Sequence, residues 1–102
     1  MVAYVIFTRV RTRDPAQLKL YSDARTKFFA GHRVTVRVPF GAPFEVLEGA
    51  AAEGMSILEF PTLEEARAWY ASPAYQEACQ HRFRGGDYTA ILVDAPTPAA
   101  SP

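Results

Sequence analysis

The stretch VAYVIFTRV, Val2 to Val10, limits the fold more than any other part of the chain. It is rich in β-branched and aromatic residues, which favours a strand. Successive side chains of a strand point to opposite faces. Val2, Tyr4 and Ile6 therefore fall on one face, and Ala3, Val5 and Phe7 on the other. A strand apolar on both faces has to be covered on both. With 102 residues, enough for one small domain with one core, that cover comes either from the chain's own helices or from a partner.

The rest of the chain supplies half of it. RDPAQLKLYSDARTKFFAG predicts one helix, with Asp14 as its cap, Pro15 in the first turn and Gly31 at the exit. Leu18, Tyr21, Ala24 and Phe28 recur along it at helical spacing. RVTVRV, Arg33 to Val38, alternates strictly and predicts a strand with Val34, Val36 and Val38 on one face. PFGAP reads as a turn, and FEVLEG as a short extended piece ending at Gly49. A third full strand is expected over Met55–Phe60, then a second helix with Thr62 and Glu65 at capping-box spacing. Ser72-Pro73 interrupts that helix. A residue before proline is biased out of the helical region, yet serine caps well and proline suits a first turn. The expected result is an elbow of two helices. RGGD reads as a turn before a last strand, YTAILVD. Residues 1–94 are expected to form a single domain, and APTPAASP, residues 95–102, a flexible tail.

The order is β-α-β-β-α-β, the ferredoxin-like pattern of an α+β sandwich: a four-stranded antiparallel sheet with helices on one face. The other face keeps apolar residues from the first strand and from Ile91 and Val93, or Ala90 and Leu92. An open apolar face of this size calls for a partner, and an isologous homodimer, sheet against sheet, is the economical one.

Charge separates along the chain. Residues 1–38 carry eight basic and two acidic groups, residues 39–102 three basic and nine acidic, so the halves are +6 and −6. Packed together they neutralise each other, and no nucleic-acid motif accompanies the basic half, so no nucleic-acid partner is expected. No run approaches the ~18 apolar residues of a membrane span. The start lacks a charged segment ahead of its apolar stretch, so no signal peptide is expected. The single cysteine, Cys79, allows no internal disulfide and fits a cytoplasmic protein.

Motifs for chemistry are sparse. The sequence has no paired-cysteine metal spacing, nucleotide loop or Gly-x-Ser-x-Gly elbow; neither a metal nor a cofactor is expected. Arg37 and Glu59 lie on strands that a ferredoxin-like sheet makes neighbours. They read first as a structural ion pair and second as a ligand-binding pair, with Glu59 as a base. Tyr75 and Arg82, seven residues apart, share a helical face. Tyr75 reads first as core and Arg82 as a surface or dimer contact; in the sharper reading both face the mouth of a cleft. Trp69 reads as core before platform, and His32 as a helix-exit residue before a cleft rim. Cys79 reads as buried packing and His81 as a solvated helix residue.

EVLEG (Glu45–Gly49), LEFPTLEEARAWYASPAYQ (Leu58–Gln76) and Arg82 resemble domain-of-unknown-function family 1330, a family of dimeric α+β barrels. The resemblance runs from Tyr4 to Asp94, and Arg37 matches an arginine usual on the second strand. Two places depart from the family: GHR (Gly31–Arg33) stands where Gly-Gly-Arg is usual, and VPFGAP replaces glycines after the strand arginine. Relatives in the wider superfamily include small monooxygenases, haem-degrading enzymes and lactone isomerases, which use a cleft between sheet and helices. The resemblance thus implies a homodimer with a small-molecule cleft, its ligand contacts drawn from Arg37, Glu59, Tyr75, Arg82, His32 and Trp69. It implies either cofactor-independent proton transfer, isomerisation or hydrolysis on a small oxygenated metabolite, or a non-catalytic binding or interaction dimer.

Overall fold

The doubly apolar first strand lies inside the sheet, where its two faces part company. The computed structural model describes residues 2–96; the expected tail, beyond its first two residues, lies outside them. The elements are β1 (Val2–Thr12), α1 (Pro15–Asp23), α2 (Arg25–Phe29), β2 (Thr35–Val38), β3 (Gly54–Phe60), α3 (Leu63–Ala71), α4 (Pro73–Gly85) and β4 (Gly86–Ala95). The strands pair antiparallel in the order β2-β3-β1-β4. This is the ferredoxin-like fold.

Ala3, Val5 and Phe7 of β1 are buried with Leu58 and Phe60 of β3 under the helices, against Phe28, Ala66, Trp69, Tyr75 and Cys79. Each large apolar side chain buried in this way stabilises the fold by ~1.5–3 kcal/mol. On the opposite face Tyr4 and Ile6 stand between Glu59 and Ile57 on one side and Val93 and Ile91 on the other. No helix covers that face, and Ile91 is 54% exposed.

Caps set most helix limits. The Asp14 carboxylate accepts from Ala16 N, and Gly31 leaves α2 at a φ of 80°, a left-handed value that favours glycine. Thr62 Oγ1 accepts from Glu65 N, as in a capping box, but Glu65 does not return the bond to the Thr62 backbone: its carboxylate takes the Thr62 hydroxyl and Arg33 instead. Ser72 ends α3 and starts α4. Its backbone is extended, its hydroxyl donates to Trp69 O at 2.7 Å, and its oxygen accepts from Tyr75 N at 3.3 Å. The elbow at Ser72-Pro73 is therefore built as the sequence suggests.

Four local expectations are corrected. The first helix is two: Ala24, with ψ near zero, separates α1 from α2, and no glycine or proline marks the step. β2 is shorter than Arg33–Val38 and bulged. Val36 lies opposite Leu58 on the helix-covered face, but Val38 lies opposite Ile57 on the open face. The three valines therefore do not share a face, because the extra residue, Arg37, reverses the alternation. FEVLEG forms no strand. RGGD is not a turn either, since α4 ends at Gly85 and β4 begins at Gly86. Those glycines serve close approach: Gly85 O accepts from Arg13 N and Asp14 N at 2.7 and 3.0 Å, and a Cβ on Gly86 would stand 2.7 Å from Arg11 O.

Candidate functional site

Between α1, α2 and the covered face of the sheet is a cleft of about 570 Å³. β1 contributes Phe7 and Arg9 to it, α1 Leu18 and Tyr21, and α4 Arg82. Phe40, just after β2, lies at its edge; its ring fills the space above Gly54, where a Cβ would come within 2.3 Å. Arg9 lies over that ring at 4.5 Å and pairs with Glu53 at 2.9 Å. The titratable groups of the lining are arginine, lysine and tyrosine.

Arg82 is placed by the elbow. Starting α4 afresh at Pro73 turns its inner face so that Tyr75, Ala78, Cys79 and Arg82 are all buried. Arg82 is only 3% exposed. Its guanidinium lies 5.0 Å from the Phe7 ring centre, 4.9 Å from Phe83, 5.2 Å from Tyr88 and 6.0 Å from Tyr21. Its Nε has no hydrogen-bond partner. Burial opposes its charge, but the facing Tyr75 and Tyr21 hydroxyls outweigh that, and the guanidinium stays charged. The two hydroxyls meet at 2.9 Å. Burial drives the pKa of Tyr21 well above the ordinary tyrosine range and pushes that of Tyr75 up to about 12, so both remain protonated at neutral pH.

The residues singled out from sequence are divided by the sheet. Arg82 and Trp69 line the cleft. Trp69 is also core, its indole N–H donating to Phe28 O at 3.0 Å. Tyr75 is wholly buried and outside the cleft lining, its hydroxyl meeting the lining residues Tyr21 and Arg82 from behind. Arg37 and Glu59 are on the open face and form a two-point ion pair with bonds of 3.0 and 3.1 Å. The arginine's hydrogen bond holds the Glu59 carboxyl below its usual range, the direction of a settled ion pair and not of a base. Glu59 also borders a shallow hollow with Val2, Thr35 and Pro61. His32 follows α2, half-buried, outside the cleft lining. His81 Nδ1 lies 2.7 Å from Gln17 Oε1, and Cys79 is buried, its thiol pushed up by that burial.

Sequence reasoning missed Tyr21, Arg9, Phe40 and Tyr88. Arg9 carried a signal, for it shares the alternation of Ala3, Val5 and Phe7, which puts a cation on the covered face. Tyr21 looked like any apolar-stripe residue of a helix. Among the described residues, no group of three or more His, Cys, Asp or Glu is placed to hold a metal ion. No helix among them is long and apolar enough to cross a membrane.

The fold recurs among solved structures. A protein of unknown function from Rhodopseudomonas palustris aligns with a TM-score of 0.69 at 20% identity, over 95% of this chain and 84% of that one. A dimeric ferredoxin-like protein of unknown function from Thermobifida fusca aligns at 0.62 and 16% identity, over 93% and 92%. SnoaB, a cofactor-independent oxygenase from Streptomyces nogalater, aligns at 0.59 and 14% identity, over 98% and 97%. At such identities the likeness is one of fold. No curated protein matches the chain. The family described as Domain of unknown function (DUF1330) matches residues 2–96, and the chain belongs to it.

Proposed function

We propose that this protein is a homodimer that holds a small oxygenated organic molecule in the cleft of each protomer. The observation that carries the reading is the cleft itself: about 570 Å³, within the ~300–1,000 Å³ usual for ligand sites, mostly apolar with a few convergent polar groups. Dimerisation is supported by the uncovered apolar face and by the Thermobifida fusca neighbour, described as dimeric. Arg37–Glu59 acts as a strut between β2 and β3 on that face. Cys79, unpaired, suits the cytoplasm.

Cofactor-independent turnover by proton transfer, isomerisation or hydrolysis is the fuller form of this reading, supported by the shared fold with SnoaB. Binding without turnover is the second reading. It is favoured by the lining, in which burial holds Tyr21 protonated and which carries, among the described residues, no carboxylate or histidine to serve as a base. Trp69, the one tryptophan of the chain, lines the cleft and serves as its reporter. Titration with small aromatic acids, amides and alcohols should change its emission saturably. Ser56→Phe, which fills the cleft from β3, should abolish the response while the protein still folds. A panel that leaves Trp69 emission unchanged throughout would overturn the reading.

A further inference from the structure

We propose that the cleft selects an organic acid with a flat apolar body, its carboxylate or enolate oxygen held by Arg82; this rests on the small-molecule reading above. The ground is an imbalance of charge. A cation taken out of water is costly unless it is paired, and Arg82 is 3% exposed. Among the described residues, the other lining cations are occupied: Arg9 by Glu53 at 2.9 Å, Lys19 by Asp23 at 2.7 Å, and Arg25 by the Ser22 carbonyl at 3.0 Å. No carboxylate pairs with Arg82 there, and its Nε is unpartnered. The ring faces of Phe7, Phe83 and Tyr88 offset part of the cost by cation–π attraction, but they accept no hydrogen bond in the guanidinium plane.

The shape of the vacancy follows from the donor. A guanidinium presents parallel N–H groups that match a carboxylate in two-point fashion. Among the described residues, Arg82 is the one buried cation of the lining, since Arg25, which also lacks a carboxylate, is exposed to solvent. One buried cation suits one negative charge, which fits a monoanion better than a phosphate ester. The Tyr21 hydroxyl at the same wall, held protonated beside Tyr75, adds a donor or acceptor for a second oxygen. The remaining lining of Phe7, Phe28, Trp69 and Tyr88 offers ring faces to a flat body.

The test compares 1-naphthoate with 1-naphthamide, nearly equal in shape and differing in charge, by isothermal titration calorimetry. Wild-type protein should bind the acid at least ~10-fold more tightly than the amide, a charge-assisted bond against a neutral one. Arg82→Gln should bring the ratio close to one, whereas Arg37→Gln, on the other side of the sheet, should leave it intact. Naphthoate should also shift the single indole N–H resonance of Trp69, which locates the acid without any variant should Arg82→Gln fail to fold. Equal affinity for acid and amide would overturn the anion assignment and leave the small-molecule reading standing. A preference that survives in folded Arg82→Gln would overturn Arg82 as the anchor. Absence of binding by both compounds would overturn the inference together with the cleft reading.

Discussion

At Glu59 one side chain decides between two chemistries, and its pH behaviour checks the decision. A base would have its pKa raised toward neutrality. Here the Arg37 guanidinium, bonded at two points, holds the carboxyl below the ordinary glutamate range. The folded state thus favours the ionised form. Its contribution is fully present above the ordinary range and is lost as pH falls through the lowered folded value. Glu59→Gln removes that dependence. Its urea midpoint should fall less steeply than that of wild type between ~pH 6 and ~pH 2, while some slope remains from Glu53, lowered chiefly by the Thr12 hydroxyl. Because the pair is exposed on the arginine side, the difference should be small and reduced by salt. Identical acid limbs for the two proteins would show that the pair adds nothing to the fold. The two residues themselves were legible as partners from sequence. Their position away from the cleft follows from alternation, since Glu59 stands between Leu58 and Phe60 of the covered face and Arg37 follows Val36. What RVTVRV does not announce is the bulge that carries Val38 to their side.

The elements divide by the range of what shapes them. Features set within a few residues were readable: the Ser72-Pro73 elbow, the Asp14 and Thr62 caps and the alternation of β1 all follow from neighbours in the chain. Features set at long range were not. RGGD looks like a turn because glycine so often marks one, yet helix passes to strand there without a break. What requires Gly86 is the Arg11 carbonyl, brought alongside when β4 pairs with β1. Gly86 itself is extended, with φ of −173°, a conformation open to any residue. Gly86→Ala is therefore expected to act by crowding alone. A Cβ 2.7 Å from a backbone oxygen has no flexible neighbour to push aside, so the β1–β4 pairing has to shift. The cost should be ~1–3 kcal/mol in urea denaturation, as for other overpacked sites. An alanine variant as stable as wild type would mean that the strand end yields freely. The cleft was half-legible for the same reason: Arg82 and Trp69 stand in quotable motifs, but Tyr21 and Arg9 join them only once α1 has packed on α4 and faces β1 across the cleft.

Over the whole molecule, charge and apolar surface tell different stories. The basic first half and acidic second half meet in pairs such as Arg9–Glu53, Arg11–Asp87, Arg33–Glu65 and Arg37–Glu59, so charges separated along the sequence are brought together in the fold. The apolar excess of β1 is only half used, because the helices cover Ala3, Val5 and Phe7 and leave Ile6, Ile57 and Ile91 in a row across the open face. The proposed dimer accounts for that row, and Ile91 is the place to test it. At 54% exposed in the single chain, it contributes little to the monomer, so Ile91→Asp should leave the fold intact by circular dichroism. In a two-fold interface of more than ~1,000 Å² the same change places carboxylates in or beside a dry apolar patch twice over, a penalty large enough to dissociate it. Wild-type protein should sediment at about twice 11.3 kDa at micromolar concentration, and the variant at 11.3 kDa. Wild-type protein that sediments as a monomer would give the open face some other partner; a variant that remains dimeric would move the interface elsewhere and leave the row of isoleucines without an explanation.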